Sequence, residues 1–129
     1  MKTITLHGTV TSGKGEGENF LKLTWVRKQI QEKLGFTPYT GTLNLKLDKK
    51  GTKLNRILQK EKPVEIMPQE GFHRGKCFKA HIANSIDGAV VFPEVANYPE
   101  NIIEIIAPLN LREKLQLKNG DLVAVKINL

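Results

Sequence analysis

The chain is short of the residues that staple small proteins together or hold the commonest metals. It has one cysteine, Cys77, which excludes an internal disulfide framework and fits a reducing compartment. Lys76 and Lys79 flank that thiol, but it falls within a strand-like run and no histidine stands at a telling spacing. It therefore reads as a buried structural thiol rather than a reactive one. The histidines are only His7, His73 and His81, and no two have the i, i+4 spacing of a helical zinc pair. Aromatic residues make up 6% of the chain, few for a surface that stacks nucleic-acid bases. No apolar run approaches the roughly 20 residues of a membrane span. Met1-Lys2-Thr3-Ile4 leads straight into strand-like alternation without a signal-peptide segment, so a cytoplasmic protein with no membrane contact is expected. No repeat, low-complexity tract or linker interrupts the 129 residues, a length suited to one domain, 1–129, around one hydrophobic core.

What the chain does have is positive charge. Its formal net charge of +7 attracts polyanions, whether nucleic acid, acidic membrane or phosphorylated small molecules. The lysines are scattered along the sequence rather than gathered in one stripe.

Alternation from Thr3 to Val10 predicts a first strand. Gly13-Lys14-Gly15-Glu16-Gly17-Glu18 follows. Its glycines permit unusual backbone conformations and remove side chains from the path of a ligand, which suits phosphate contact by main-chain amides. The run has neither the G-x-G-x-x-G spacing of a dinucleotide fold nor the Gly-Lys-Ser/Thr ending of a P-loop. A flexible hairpin loop is the other reading, and the two glutamates would repel phosphate.

Thr24 to Leu34 places Trp25, Val26, Ile30 and Leu34 on one face of a helix, with Thr24 as N-cap and Gly35 as the stop. Phe36 to Thr40 is a loop that leads into Gly41-Thr42-Leu43-Asn44-Leu45-Lys46-Leu47. In that strand Leu43, Leu45 and Leu47 face one way, and Thr42 and Asn44 present a hydroxyl and a carboxamide on the other. Such a pair can hold a ligand or a hard cation. Asp48 to Gly51 reads as a turn and Thr52 to Lys60 as a short helix. Between Pro63 and Pro68 a short edge strand or an extended crossing fits, but not a central strand. A long hairpin spans Phe72 to Val91, with Asp87-Gly88 as its turn dipeptide. Ile102 to Ala107 is an apolar strand interrupted by Glu104, whose carboxylate has to face water, a cation or a ligand. Asn110 can cap a short helix from Leu111 to Leu115, where Arg112 favours an anion. Asn119-Gly120-Asp121 then turns into a closing strand, Leu122 to Ile127. The tally predicts a mainly β domain, a small barrel with one longer and two short helices.

Four stretches occur in order: Gly8-Thr9-Val10 before Gly13-x-Gly15-x-Gly17; Gly35-Phe36-x-Pro38-Tyr39-x-Gly41-Thr42-Leu43-Asn44; Glu104-Ile105-Ile106-Ala107-Pro108 with Leu111-Arg112; and Gly120-Asp121-x-Val123. Together they resemble the archaeal CTP-dependent riboflavin kinase family, from about Gly8 to Ile127. The resemblance implies a six-stranded cradle-loop (RIFT-type) β-barrel that phosphorylates riboflavin to FMN with CTP as donor, releasing CDP. It implies that Gly13, Lys14, Gly15, Glu16, Gly17 and Glu18 lie along the cytidine nucleotide and that Leu109, Asn110, Leu111 and Arg112 complete its site. It further implies that Thr42 and Asn44 hold Mg²⁺ and that Glu104 contacts the flavin; by its chemistry a carboxylate there would also help deprotonate the attacking hydroxyl. Where a Thr-x-His-Pro segment would supply a second flavin contact, this chain reads Ala96-Asn97-Tyr98-Pro99, with no hydroxyl at Ala96. The chain also begins directly at the barrel, without the N-terminal winged-helix extension of some members, and a monomer is expected. Two other readings compete. A nucleic-acid-binding barrel of the transcription-regulator type shares the Leu117-x-x-Gly120-Asp121-x-Val123 ending, and a flavin- or nucleotide-binding module would lack catalysis.

Overall fold

A computed structural model describes residues 2–13, 16–69, 71, 74–94 and 97–129, with 16–18 described by their backbone alone. Among these residues seven antiparallel strands carry the fold. They are β1 (Thr3–Thr11), β2 (Leu43–Leu47), β3 (Val64–Ile66), β4 (Gly75–Ile82), β5 (Ile86–Pro93), β6 (Ile102–Ile106) and β7 (Leu122–Asn128). The helices are α1 (Glu16–Leu21), α2 (Thr24–Leu34), α3 (Lys49–Leu58) and α4 (Leu111–Lys114). The strands pair in the order β3-β4-β5-β6-β2-β1-β7, and β4 pairs again with β7, so six strands close into a ring with β3 outside it.

Period-2 alternation sorts the side chains into two apolar layers. Inside the ring lie Leu6 and Val10 of β1, Leu43, Leu45 and Leu47 of β2, Phe78 and Ile82 of β4, Ile103 and Ile105 of β6, and Val125 and Ile127 of β7. Outside it, Cys77, Ala89, Val91 and Ile106 meet Leu21 of α1 and Val26, Ile30 and Leu34 of α2. Ile30 is fully buried in that outer layer; truncating such a side chain to alanine costs about 2–5 kcal/mol. Cys77 is the expected structural thiol. Burial pushes it up to about 12.

Helix α2 ends where expected, on Gly35 at φ 85°. Its N-cap is Leu23, not Thr24, and no side chain caps it. The helix also covers the outer edge of β3. Gln29 donates to the Met67 carbonyl at 3.0 Å and accepts from its N–H at 2.8 Å, while Lys33 Nζ donates to the Glu65 carbonyl at 2.7 Å. These side chains occupy backbone groups that would otherwise template another strand.

Three local expectations are corrected. Glu16 to Leu21 form a helix rather than a continuing loop, and Phe20 of that helix packs where a Cβ on Gly75 would come within 2.8 Å of its ring. Asp48 to Gly51 is the first turn of α3, with Asp48 accepting from the Gly51 N–H at 2.7 Å. The β4–β5 turn is Ala83-Asn84-Ser85, not Asp87-Gly88, with Ala83 and Asn84 at positive φ. Asp87 and Gly88 instead lie opposite His81 and Ala80 within the ladder. Gly88 is glycine because a Cβ there would sit 2.3 Å from the Ile106 carbonyl oxygen.

Candidate active site

The β2–β6 ladder sets Asn44 directly opposite Glu104, with Leu43 and Ile105 paired beside them. The leucines of β2 point into the ring, so Thr42 and Asn44 emerge on its outer face, as the alternation predicts. Glu104 emerges there too, yet it is only 3% exposed. Two hydroxyls are among its partners. Thr42 Oγ1 donates to Oε1 at 3.0 Å, Tyr98 OH donates to Oε2, and Asn44 Nδ2 donates to Thr42 Oγ1 at 3.4 Å. Hydrogen bonds to an ionised acceptor are the strong kind, and they offset the desolvation of this carboxylate.

A glycine closes over this line of side chains. A Cβ on Gly13 would lie 2.4 Å from Asn44 Oδ1 and 2.5 Å from its Nδ2, so the backbone leaving β1 rests against the carboxamide. Lys14 and Gly15 fall outside the described residues. Glu16, Gly17 and Glu18 belong to the first turn of α1. Ala96 also falls outside the described residues.

Next to Thr42, a cleft of about 240 Å³ is lined by Tyr39, Thr40, Gly41, Thr42 and Leu43 on one side and Asn110, Leu111 and Arg112 on the other. Asn110 is the expected cap of α4, accepting from the Glu113 N–H at 3.2 Å, and its Nδ2 donates to Tyr39 OH at 3.3 Å. Arg112 Nη2 donates to the Thr11 carbonyl at 3.1 Å and to Asn119 Oδ1 at 2.8 Å. Both acceptors are neutral, so neither cancels the guanidinium's charge, and the residue braces the end of β1 from which Gly13 departs. Leu109 and Leu111 pack on the inner core.

Thr42 Oγ1 and Asn44 Oδ1 offer two neutral hard oxygens, the donor type Mg²⁺ accepts while keeping waters and phosphate oxygens. A glycine at position 13 leaves the Asn44 carboxamide the room it occupies. Among the described residues no three of His, Cys, Asp and Glu are grouped to hold a metal. Tyr98 and the Tyr39–Asn110 contact were not foreseen from sequence as parts of the site. Nothing in a loop sequence signals that a tyrosine six residues before Glu104 folds back onto it.

A ring of antiparallel strands sets a buried carboxylate beside a hydroxyl–carboxamide pair, with a glycine against the carboxamide, and so defines a β domain with a polar cluster at one seam. The family model CTP-dep_RFKase, described as Domain of unknown function DUF120, matches residues 10–127, and the chain belongs to that family. It is 44% identical over 129 residues to a riboflavin kinase of Archaeoglobus fulgidus, covering 97% of this chain and 55% of that protein. It is 47% identical over 132 residues to one from Pyrobaculum aerophilum, covering 97% of this chain and 61% of the relative. For one from Ignicoccus hospitalis the identity is 39% over 130 residues, covering 98% and 72%. The chain thus spans a little over half the length of the first two relatives.

Proposed function

We propose that the chain is a CTP-dependent riboflavin kinase domain that transfers the γ-phosphoryl of CTP to the 5′-hydroxyl of riboflavin, giving FMN and CDP, in a six-stranded cradle-loop barrel. The observation that carries the reading is the line Asn44–Thr42–Glu104 at one strand seam beneath Gly13, with the Glu104 carboxylate buried. Family membership and the names of the relatives support it.

In phosphoryl transfer the protein chiefly positions the reactants and neutralises charge. Thr42 gives its single hydroxyl hydrogen to Glu104 and accepts from Asn44 Nδ2, which leaves one lone pair that, together with Asn44 Oδ1, would hold Mg²⁺. When bound there, Mg²⁺ would neutralise charge on the donor's phosphates. Asn110, Leu111 and Arg112 line the cleft that would take the nucleotide. Glu104 would accept a hydrogen bond from the 5′-hydroxyl of riboflavin. As that oxygen bonds to the γ-phosphorus and the bond to the β-phosphate oxygen breaks, the hydroxyl proton passes to the Glu104 carboxylate. No helix among the described residues is long and apolar enough to cross a membrane, and the same reading has the enzyme working as a cytoplasmic monomer without nucleic acid.

The test is to combine purified protein, riboflavin and Mg²⁺ with CTP, ATP, GTP and UTP separately and to assay FMN. FMN from CTP alone is the expected result. No FMN from any donor, with tight and steeply salt-dependent DNA binding, would overturn the reading in favour of a nucleic-acid-binding barrel.

A further inference from the structure

We infer that Tyr98 is a positioning residue for Glu104, an inference that rests on the kinase reading above. The Glu104 carboxylate has about four lone-pair sites. Thr42 fills one on Oε1 and Tyr98 one on Oε2. The two donors come from different parts of the fold. Thr42 immediately precedes β2, the strand next to β6, so ladder register fixes its direction. Tyr98 sits in the connection between β5 and β6.

That connection is strapped to α3. Asn55, only 3% exposed, donates through Nδ2 to the Glu100 carbonyl at 2.9 Å. Arg56 Nε donates to Glu100 Oε2 at 2.9 Å, and this pairing holds the Glu100 carboxyl below its ordinary range. Ile102 N–H closes the segment on the Pro99 carbonyl at 3.3 Å. The half-buried Tyr98 also helps wall a second cleft, of about 200 Å³, together with Phe92, Lys76, Gln59 and Pro99. The phenol is therefore held by its backbone and by its surroundings, and its hydroxyl ends on the carboxylate.

A glutamate held through one oxygen can still pivot about it. A second donor on the other oxygen fixes the plane of the carboxylate and the direction of its remaining lone pairs. Because a displacement of about 1 Å in a reacting group can cost on the order of 10²-fold in rate, loss of the Tyr98 hydroxyl should appear in the chemical step. Substrate affinity should change little.

The experiment is single-turnover FMN formation at saturating CTP and Mg²⁺ with wild type, Tyr98→Phe, Glu104→Gln and the double variant, alongside riboflavin binding by fluorescence quenching. Tyr98→Phe keeps the ring and should fold; Tyr98→Met, which also lacks the hydroxyl, is the second variant. The expected result is a rate lowered about 10- to 100-fold in both Tyr98 variants, with riboflavin affinity within about threefold of wild type. In the Glu104→Gln background, removing the hydroxyl should cost nothing further, because coupled residues are not additive. Three results would overturn the inference: a rate within twofold of wild type, a loss confined to riboflavin affinity, or an undiminished loss in the Glu104→Gln background. Wild-type protein that makes no FMN from any donor would remove the kinase reading itself, a failure visible before any variant is compared.

Discussion

Gly13→Ala is the sharpest perturbation of the proposed metal side. The added methyl carbon would sit 2.4–2.5 Å from three atoms of the Asn44 carboxamide, and ordinary contact begins at 3.4 Å, so one of the two groups must move by about 1 Å. The yielding atoms belong to a side chain rather than to backbone, so folding should suffer little; replacing glycine in an allowed conformation even stabilises by about 0.4–1 kcal/mol through the unfolded chain. Asn44 cannot retreat without loss, because its Nδ2 is bonded to Thr42, which in turn holds Glu104. A shift of about 1 Å in a positioning group corresponds to about 10²-fold in turnover. The assay is steady-state FMN formation across a Mg²⁺ titration, with thermal unfolding measured in parallel. Turnover should fall by about two orders of magnitude at an unchanged or slightly raised melting temperature. Wild-type turnover at every Mg²⁺ concentration would refute the argument that Gly13 makes room for Asn44.

Other substitutions test other links. Replacing Thr42 by Val and Asn44 by Leu should abolish Mg²⁺-dependent turnover in a folded protein; Thr42→Val alone, by removing the 3.0 Å donor to a buried carboxylate, should cost about 1–3 kcal/mol in urea unfolding. Full activity in the double variant would remove the metal assignment. Gly88→Ala drives a methyl to 2.3 Å from a carbonyl oxygen of β6, where backbone cannot yield cheaply, and should destabilise by about 1–3 kcal/mol with an unchanged denaturant slope. Cys77 should resist a thiol reagent at pH 8 until the protein unfolds. Because burial raises its folded pKa to about 12 from an ordinary 9.0, the stability linked to the neutral thiol is complete below about pH 9. It should decline as pH climbs from there towards 12, and Cys77→Ala should flatten that part of the profile.

What the sequence made legible was whatever a local period or a local cap encodes. The split of β2 into Leu43, Leu45 and Leu47 on one face and Thr42 and Asn44 on the other follows from alternation alone. Gly35 and Asn110 announced helix boundaries through their own backbone and side-chain chemistry. Other assignments failed where identical residues serve a non-local need. Asp87-Gly88 has the composition of a turn, but Gly88 is demanded by the approach of β6, and three other residues make the turn. Glycines suggested a loop over residues 13–18, whereas residues from 16 onward join α1. Glu104 was conspicuous as a charge in an apolar strand; that it is buried under two hydroxyls depends on Thr42, 62 positions away, and on a loop bent back by α3. Arg112 suggested an anion site. Its contact with Thr11, across 101 positions, shows a brace that only the folded chain reveals.

Closure of the six strands has a consequence for the alignment of Asn44 with Glu104. In an open sheet one ladder can slide by two residues and keep every side chain on its proper face. Here β6 and β2 belong to a circuit completed by the Ala80–Ile127 to Ile82–Val125 pairing on the opposite side of the ring. A slip at the β2–β6 seam would have to be cancelled by an equal and opposite slip in another ladder. The meeting of a carboxamide and a carboxylate at one spot is thus guarded by the whole circuit, and a mutation that weakens any single ladder should lower stability before it moves the pair out of step.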